Sequence, residues 1–277
     1  MSEDEPTSHD QRTADAFAAS WNHLPEGSVY STAQFEEWLA PLGREHARGK
    51  RVLELGCGGG NLLTHMSTWE PRELIGVDLG DSVAMAERNL QRIGARNYRV
   101  IRHDLTTYVA EEPCDLVYCI GVLHHLKEPR AGFDAVLRNT VSGGRFHGWV
   151  YAHEGNGVVR WLVDPLRKLA SRFPWWFTKY AIATPLVFPY FLYAKALRAL
   201  QWKSLHALPL YQYSLWIAER GFGFFRHVAF DQLVTPQTVY LHKGSIEAWL
   251  RSSEVDPASA YVIFRNGNSW KFGGSKL

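Results

Sequence analysis

A short apolar run followed by alternating glycines constrains this chain more than any other stretch. Residues 51–55 form the run, and Gly56, Gly58 and Gly60 occupy every second position after it. The run has the length and composition of a parallel strand that is buried on both faces. Glycines in this pattern let the backbone turn sharply and let a ligand approach it closely. The stretch therefore predicts a strand, a ligand-binding turn and a helix that begins near Asn61.

The spacing of the glycines separates two kinds of nucleotide-binding turn. The dinucleotide-binding fingerprint has a glycine at the sixth position of the turn, where this chain has Asn61. The pattern present is an acidic residue, Glu54, followed by the alternating glycines. A second apolar run, residues 74–77, ends in Asp78, about 20 residues past the glycines, where Rossmann-like units place a ribose-binding carboxylate.

Further apolar runs alternate with helical patterns. Strands are expected at 73–77, 98–102, 114–119 and 145–151, the last after a turn at 142–144, and helices at 60–68, 82–93 and 129–139. Strands that alternate with helices predict a parallel sheet covered on both faces. Ligands of such a sheet bind at the carboxyl ends of its strands, so the polar residues there are expected to share one cleft.

The ordered motifs between residues 51 and 151 resemble those of class I S-adenosylmethionine-dependent methyltransferases. Residues 151–157, taken together with 21–22, 230–233 and 265–270, resemble a bacterial subgroup of type 11/12-like methyltransferases, and this resemblance covers most of the chain. The resemblance implies an α/β fold with a Rossmann-like, doubly wound, mostly parallel seven-stranded sheet. It also implies an N-terminal helical lid and S-adenosyl-L-methionine as the cofactor. Residues 157–225 depart from a minimal methyltransferase, and their sequence predicts a helical insertion after the fifth strand.

The resemblance assigns cofactor contacts to residues at the strand ends. Asp78 would bind both ribose hydroxyls, Asp104 the adenine amino group, and the backbone of Leu105 the adenine ring. Glu54 would orient the glycine turn or reach the ammonium group of the cofactor through water; the alternative is that it only caps the turn. The other expected contacts are Gly56, Cys57, Gly58, Gly60, Asn61, Leu79, His103, Ile120 and His125.

Residues after the fourth and fifth strands are candidates for catalysis. His124 and His125 follow the fourth strand, and a neutral imidazole can remove a proton from the acceptor near neutral pH. At most one is expected to be the base; the alternative is that one packs under the adenine and the other is structural. Tyr151 and His153, after the fifth strand, are the further candidates.

Contacts to the acceptor are expected from scattered parts of the chain. The alternative for each of these residues is that it packs the lid or the insertion onto the core. Phe17 and Phe35 in the lid carry the same two interpretations. The candidates for substrate contacts are Trp21, Tyr30, Tyr151, His153, Glu154, Asp231 and Arg265.

The segments are expected to be a tail and lid (1–45), the cofactor-binding core (46–156), an aromatic-rich insertion (157–225) and the completion of the core (226–277). Residues 1–12 are expected to be disordered, and lid helices to cover 14–21 and 31–39. Another helix is expected at 245–252 and a sixth strand at 260–265. Only residues 269–274 remain for a last strand, which is therefore expected to be short or placed differently. The arrangement of the far edge of the sheet is left undecided.

The insertion has three interpretations: a cap over the acceptor site, a homodimer surface, and a weak contact with a membrane interface through residues 173–195. Its helices are expected to break at Pro174, Pro185 and Pro189. The uncharged run at 180–194 is shorter than the ~20 apolar residues of a membrane-spanning helix. If the insertion is a cap, Trp176 and Tyr190 are expected on its inner face.

Charge and cysteine content bear on partners and compartment. Residues 151–277 contain 15 Lys and Arg against 7 Asp and Glu, which favours an anionic partner or gives a merely solvated surface. The absence of a basic cluster interleaved with stacking aromatic residues argues against nucleic acid as the partner. The three cysteines form no disulfide framework, which indicates the cytoplasm.

The expected function is methyl transfer from S-adenosylmethionine to a small, partly apolar molecule at oxygen, nitrogen or carbon. In-line displacement at a sulfonium needs positioning and, for some acceptors, a base, but no metal. Two alternatives remain: methylation of tRNA or another nucleic acid, and a non-catalytic, methyltransferase-like scaffold subunit.

Overall fold

The sheet at the centre of the computed structural model has seven strands. The model describes residues 8–21, 30–170, 173–200, 206–208, 210–235 and 238–277. The strand order is β3-β2-β1-β4-β5-β7-β6. The strands are β1 (Arg51–Leu55), β2 (Glu73–Asp78), β3 (Tyr98–Arg102), β4 (Cys114–Ile120), β5 (Thr140–Tyr151), β6 (Tyr261–Arg265) and β7 (Ser269–Ser275).

Strands β1 to β5 pair in parallel, and β7 lies antiparallel between β5 and β6. This confirms the Rossmann-like, mostly parallel seven-stranded sheet. At the far edge, which the sequence left undecided, β7 pairs antiparallel with both β5 and β6. One strand differs from the prediction by more than a residue: β5 begins at Thr140 and includes the predicted turn at 142–144. Its pairing with β4 is irregular there, and the Gly143 N–H donates to the Lys276 carbonyl at 2.8 Å.

Helices cover both faces of the sheet, as the alternation predicted. Phe133 and Trp249 pack with Phe272 on one face, and Leu63 and Met66 pack with neighbouring apolar side chains on the other. The helices that cover the two faces are α3 (Asn61–Ser67), α4 (Val83–Arg92), α5 (Pro129–Asn139) and α11 (Lys243–Leu250).

The N-terminal segment contains two helices, α1 (Ser8–Trp21) and α2 (Thr32–Leu39). Helix α2 begins where the sequence predicted, because the Ser31 side chain accepts a hydrogen bond from the Gln34 N–H at 3.2 Å. Helix α1 begins earlier than predicted, so residues 8–12, which were expected to be disordered, are helical.

The insertion is helical, but its helices extend beyond the predicted end at 225. Pro174 precedes α7 as predicted, whereas Pro185 lies in the first turn of α8 and Pro189 inside that helix. No helix in the described part of the chain is long and apolar enough to cross a membrane. The helices are α6 (Gly157–Ala170), α7 (Trp175–Phe177) with a π-helical turn (Thr178–Ala183), α8 (Thr184–Leu200), α9 (Tyr211–Ala218) and α10 (Phe222–Val234).

Candidate functional site

The glycine turn between β1 and α3 requires glycine for steric reasons. Gly56 and Gly60 have φ angles of 83° and 75°, in the left-handed region that favours glycine. A Cβ at Gly56 would lie 2.4 Å from a methyl carbon of Val122, and one at Gly60 would lie 2.8 Å from Cα of Ala86. The turn is therefore held against both the loop after β4 and helix α4.

A buried asparagine supports the same turn and was missed by the sequence analysis. The Asn89 amide donates a hydrogen bond to the Gly59 carbonyl at 2.8 Å. Asn89 lies on the buried side of α4 next to Leu90. A polar side chain on the apolar side of a predicted helix was the signal that could have found it.

The Asp78 carboxylate at the end of β2 ties the glycine turn to the start of α4. Its oxygens accept hydrogen bonds from the Gly58 N–H at 2.8 Å and the Gly80 N–H at 2.9 Å, and lie 3.5 Å from the Ser82 hydroxyl. Burial raises the pKa of Asp78, although these hydrogen bonds lower it. Because a carboxylate has about four acceptor positions, it can accept further hydroxyl donors.

The Glu54 carboxyl group is buried at the end of β1 and accepts a hydrogen bond from the Tyr118 hydroxyl at 2.9 Å. Burial raises the pKa of Glu54 to about 8, the Tyr118 hydrogen bond lowers it, and the charge of Asp78 raises it. Below that pH, the carboxyl group is largely protonated and neutral.

One cavity, of about 410 Å³, extends from the glycine turn to the insertion. All but two of the predicted cofactor residues line it; Gly60 and His103 do not. His103 is exposed, and its ring hydrogen-bonds the Asp104 carbonyl at 2.9 Å. Predicted cofactor residues in the wall are Glu54, Gly56, Cys57, Gly58, Asn61, Asp78, Leu79, Asp104, Leu105, Ile120 and His125.

The adjacent histidines after β4 occupy different environments. His125 lines the cavity, and its Nδ1 lies 3.2 Å from the Thr238 hydroxyl. His124 is fully buried outside the cavity wall, and neither ring nitrogen has a hydrogen-bond partner among the described residues. Burial lowers the pKa of His124 well below its usual value. His125, and not His124, is therefore placed to meet a ligand.

The residues around the end of β5 also divide between the cavity and the outside. Tyr151 lines the cavity, whereas His153 and Glu154 do not. His153 stacks on His242 with 3.7 Å between ring centroids. Glu154 accepts hydrogen bonds from the Trp270 indole at 3.0 Å and the Lys243 N–H at 3.1 Å. The structure thus places both residues outside the cavity wall, and the expected catalytic and substrate roles of His153 and the substrate role of Glu154 stay predictions.

Two of the remaining substrate candidates, Tyr30 and Arg265, lie in the cavity wall. Arg265 is fixed by Glu37, whose carboxylate oxygens lie 2.6 Å and 2.8 Å from its Nε. The side chains of Trp21 and Asp231 lie outside what the structure describes, so their predicted substrate contacts stay predictions.

Helices α1 and α2 of the lid both contribute to the cavity wall, α1 through Phe17 and α2 through Trp38. Phe17 lines the cavity, and its ring centroid lies 4.9 Å from that of His125. Phe35 is fully buried against Trp69 at 4.9 Å instead. Of the lid aromatics, Phe17 therefore has the position predicted for a pocket residue, whereas Phe35 has the alternative packing role.

Aromatic residues of the insertion and the chain after it complete the wall. Tyr190 on α8 lines the cavity as predicted, and its hydroxyl lies 2.7 Å from the Ser214 hydroxyl. Trp176, which was expected on the inner face, is exposed and lies outside the cavity wall. Aromatic wall residues that the sequence analysis did not identify are Trp38, Trp149, Tyr213, Trp216, Phe224, Phe225 and Tyr240.

The described residues fit S-adenosylmethionine at the glycine end of the cavity. The turn has no room for a Cβ at Gly56, so only glycine fits there. The half-buried carboxylate of Asp78 is suited to accept hydrogen bonds from sugar hydroxyls. Asp104 and Leu105 lie in the wall further along the strand ends. The fold and this site define the class I S-adenosylmethionine-dependent methyltransferases.

Comparison with known proteins gives the family. A methyltransferase-domain family matches residues 30–191. The chain belongs to this family, whose members use S-adenosylmethionine.

Individual relatives match over part of their length. Ubiquinone biosynthesis O-methyltransferase from Nitrosospira multiformis is 35% identical over 112 residues, which cover 38% of this chain and 44% of that protein. The enzyme of the same name from Pseudomonas fluorescens is 30% identical over 104 residues, covering 37% and 44%. The chain thus spans less than half the length of these curated relatives.

A solved structure shares the fold over nearly the whole chain. Magnesium protoporphyrin IX methyltransferase from Synechocystis, with bound S-adenosylhomocysteine, is 14% identical, covers 97% of both chains and has a TM-score of 0.56. At this identity, the likeness concerns the fold alone.

Proposed function

We propose that the protein transfers a methyl group from S-adenosylmethionine to a small, partly apolar acceptor. One observation carries this proposal: the glycine turn and the aromatic residues of the insertion line the same cavity. Small-molecule sites are mostly apolar with a few placed polar groups, as this cavity is. The relatives named as O-methyltransferases of ubiquinone biosynthesis support a small-molecule acceptor.

Each part of the cavity has a task in this reaction. S-adenosylmethionine supplies a methyl group on a sulfonium centre when it is bound. Asp78 and the glycine turn hold the cofactor, while Tyr190 and its aromatic neighbours exclude water and orient the acceptor. His125 and Tyr151 are the cavity residues that can take a proton from an acceptor hydroxyl or amine.

The carboxylate of Asp78 provides the test. Asp78→Asn should lower the affinity for S-adenosylhomocysteine at least tenfold, because a charge-assisted hydrogen bond contributes roughly 1.5–3 kcal/mol. Asp81→Asn is the matched control, since Asp81 is 71% exposed, pairs with Arg102 and lies outside the cavity wall. Calorimetric titration of both variants and the wild type gives the affinities.

Two results of this titration would contradict the proposal. One is wild-type affinity in a folded Asp78→Asn protein. The other is tighter binding of a nicotinamide dinucleotide than of S-adenosylhomocysteine by the wild type.

The cytoplasm is the proposed location. Cys57, Cys114 and Cys119 are free and buried, an arrangement that suits a reducing compartment. Burial raises the pKa of all three thiols, which keeps them protonated and unreactive.

A further inference from the structure

Large apolar side chains are exposed along α6 and α8. On α6, Trp161, Leu162 and Leu169 are 82%, 51% and 54% exposed. On α8, Leu186, Phe188 and Leu192 are 38%, 50% and 53% exposed. We call these six residues the outer apolar face. Single exposed apolar residues are ordinary, but a concentration of large ones on two helices of one segment indicates an interaction surface.

Each helix is apolar on its packed side as well as on its exposed side. On α8, Val187, Ala194 and Leu197 are buried on the side opposite Phe188 and Leu192. The packing of the insertion therefore does not require apolar residues at the exposed positions. Their presence on the solvent side needs another explanation.

Two residues of the outer apolar face also belong to the cavity wall. Leu162 and Leu186 line the cavity and are also exposed. Each lies on its helix between the cavity side and the solvent side: Val159 and Val163 line the cavity on α6, while Trp161 is exposed. Apolar side chains therefore lie between the solvent side of these helices and the cavity.

The charge of the same segment has one sign. Between Asp164 and Glu219 the sequence has no acidic residue. Lys168, Lys195 and Arg198 are exposed on α6 and α8. Basic residues beside exposed aromatic and aliphatic side chains complement an anionic lipid surface. The basic residues of the segment are Arg167, Lys168, Arg172, Lys179, Lys195, Arg198 and Lys203.

We propose that the outer apolar face docks on an anionic membrane surface and that the acceptor enters the cavity from the lipid phase. The second half rests on the proposed methyltransferase function; docking itself does not. The contact is interfacial, because no described helix has the length and hydropathy to span a bilayer. The acceptor is accordingly a lipid-soluble molecule with a polar group at the site of methylation.

A second copy of the chain fits this face less well. In a twofold dimer, the same patch on both subunits meets itself. Lys168, Lys195 and Arg198 would then be brought near their own copies, and α6 and α8 offer only Asp164, already paired with Arg167 at 2.7 Å, as an acid. Such like charges oppose self-association, whereas they favour an anionic bilayer.

Vesicle binding tests the docking. Wild-type protein is sedimented with vesicles of phosphatidylcholine alone and of phosphatidylcholine with phosphatidylglycerol in equal amounts. Binding is expected to the anionic vesicles and to weaken at high salt. The double variant Trp161→Glu/Phe188→Glu should bind at least about tenfold more weakly, because it places two charges in the apolar interface. Val109→Glu is the control, since Val109 is 63% exposed outside the insertion and its variant should bind like the wild type.

The fluorescence of Trp161 gives a second measurement that does not depend on a disruptive substitution. Vesicles that contain brominated phosphatidylcholine should quench part of the tryptophan emission of the wild type. Trp161→Phe keeps the face apolar, so that variant should still bind but show less quenching.

Three outcomes would overturn the docking proposal. The wild type does not bind anionic vesicles, the double variant binds them like the wild type, or Trp161→Phe is quenched as strongly as the wild type. If the wild type is a dimer, the double variant is a monomer and neither binds vesicles, the face is assigned to self-association instead. Calorimetry with S-adenosylhomocysteine separates the two proposals, because the face variants should keep wild-type cofactor affinity whether or not docking occurs.

Discussion

Glu54 carries a carboxyl group whose pKa differs strongly between the folded and unfolded chain. Burial raises its folded pKa to about 8, from an ordinary value of 4.5. Between these values the folded state holds a proton that the unfolded state has released. The free energy of unfolding should therefore fall as the pH rises from 4.5 towards 8.

Glu54→Gln should weaken that pH dependence. Glutamine keeps an acceptor for the Tyr118 hydroxyl but cannot ionise. We expect the melting temperature of the variant to fall less than that of the wild type between about pH 5 and pH 9. Thermal unfolding followed by circular dichroism gives both curves. Exposed Glu87 supplies the control Glu87→Gln, and an equal fall in all three proteins would show that Glu54 does not retain its proton.

Single residues were predictable where a local pattern fixes their role. The glycine turn and the place of Asp78 at a strand end were predictable from the sequence, because the backbone conformation and the strand end are local. The positions of His153 and Glu154 outside the cavity wall were not predictable, because β5 ends at Tyr151 and side-chain alternation stops there. Their partners, His242 and Trp270, are distant in sequence, and no local pattern identifies such contacts.

At the scale of elements, helix α8 forms part of the cavity wall. Tyr190→Ala should change the affinity of an apolar dye such as anilinonaphthalene sulfonate several-fold in the presence of saturating S-adenosylhomocysteine, because it removes an aromatic ring from the wall. Cofactor affinity should stay nearly unchanged, since Tyr190 lies on the insertion. Dye and cofactor titrations by fluorescence and calorimetry measure the two effects.

Trp176→Ala is the matched comparison for Tyr190→Ala. Trp176 belongs to the same aromatic insertion but is 54% exposed and lies outside the cavity. Its removal should leave the affinity for the dye as in the wild type. Equal effects of the two variants would mean that the insertion does not form a wall over the acceptor site.

Helix α2 is held to β6 by the Glu37–Arg265 pair. Arg265 is only 7% exposed, and its Nε donates to both oxygens of Glu37. Glu37→Gln leaves the buried guanidinium without a charged partner and should lower the free energy of unfolding by about 1–3 kcal/mol. Urea denaturation measures this, with Glu36→Gln, at an exposed position without an assigned ion pair, as control. If Glu37→Gln lowers the free energy of unfolding no more than Glu36→Gln does, the pair does not stabilise the contact between α2 and β6.

The elements of the core were predictable and those of the insertion only in part. Buried strands are continuous apolar runs, so β1 to β4 were located to within a residue. Proline rules failed at Pro185 and Pro189, because the first helical turn tolerates proline and because packing of α8 against α9 and α10 favours a continuous helix.

At the scale of the whole molecule, the cavity is built from residues that no sequence pattern connects. Tyr30 precedes the sheet, Tyr190 lies in the insertion and Tyr240 in the returning chain, yet all three line one wall. The cofactor end followed from the strand ends of a parallel sheet. The wall at the acceptor end was predicted only in part, because it depends on how helices α8 to α10 pack over that sheet.

A crystal structure with S-adenosylhomocysteine tests the central claim most directly, namely that cofactor and acceptor share this cavity. The account predicts ribose hydroxyls about 3 Å from the Asp78 carboxylate. It also predicts a sulfur atom that faces an empty space lined by Tyr151, Tyr190 and Tyr213. A ligand bound away from the glycine turn, or with its sulfur directed away from the insertion, would contradict it.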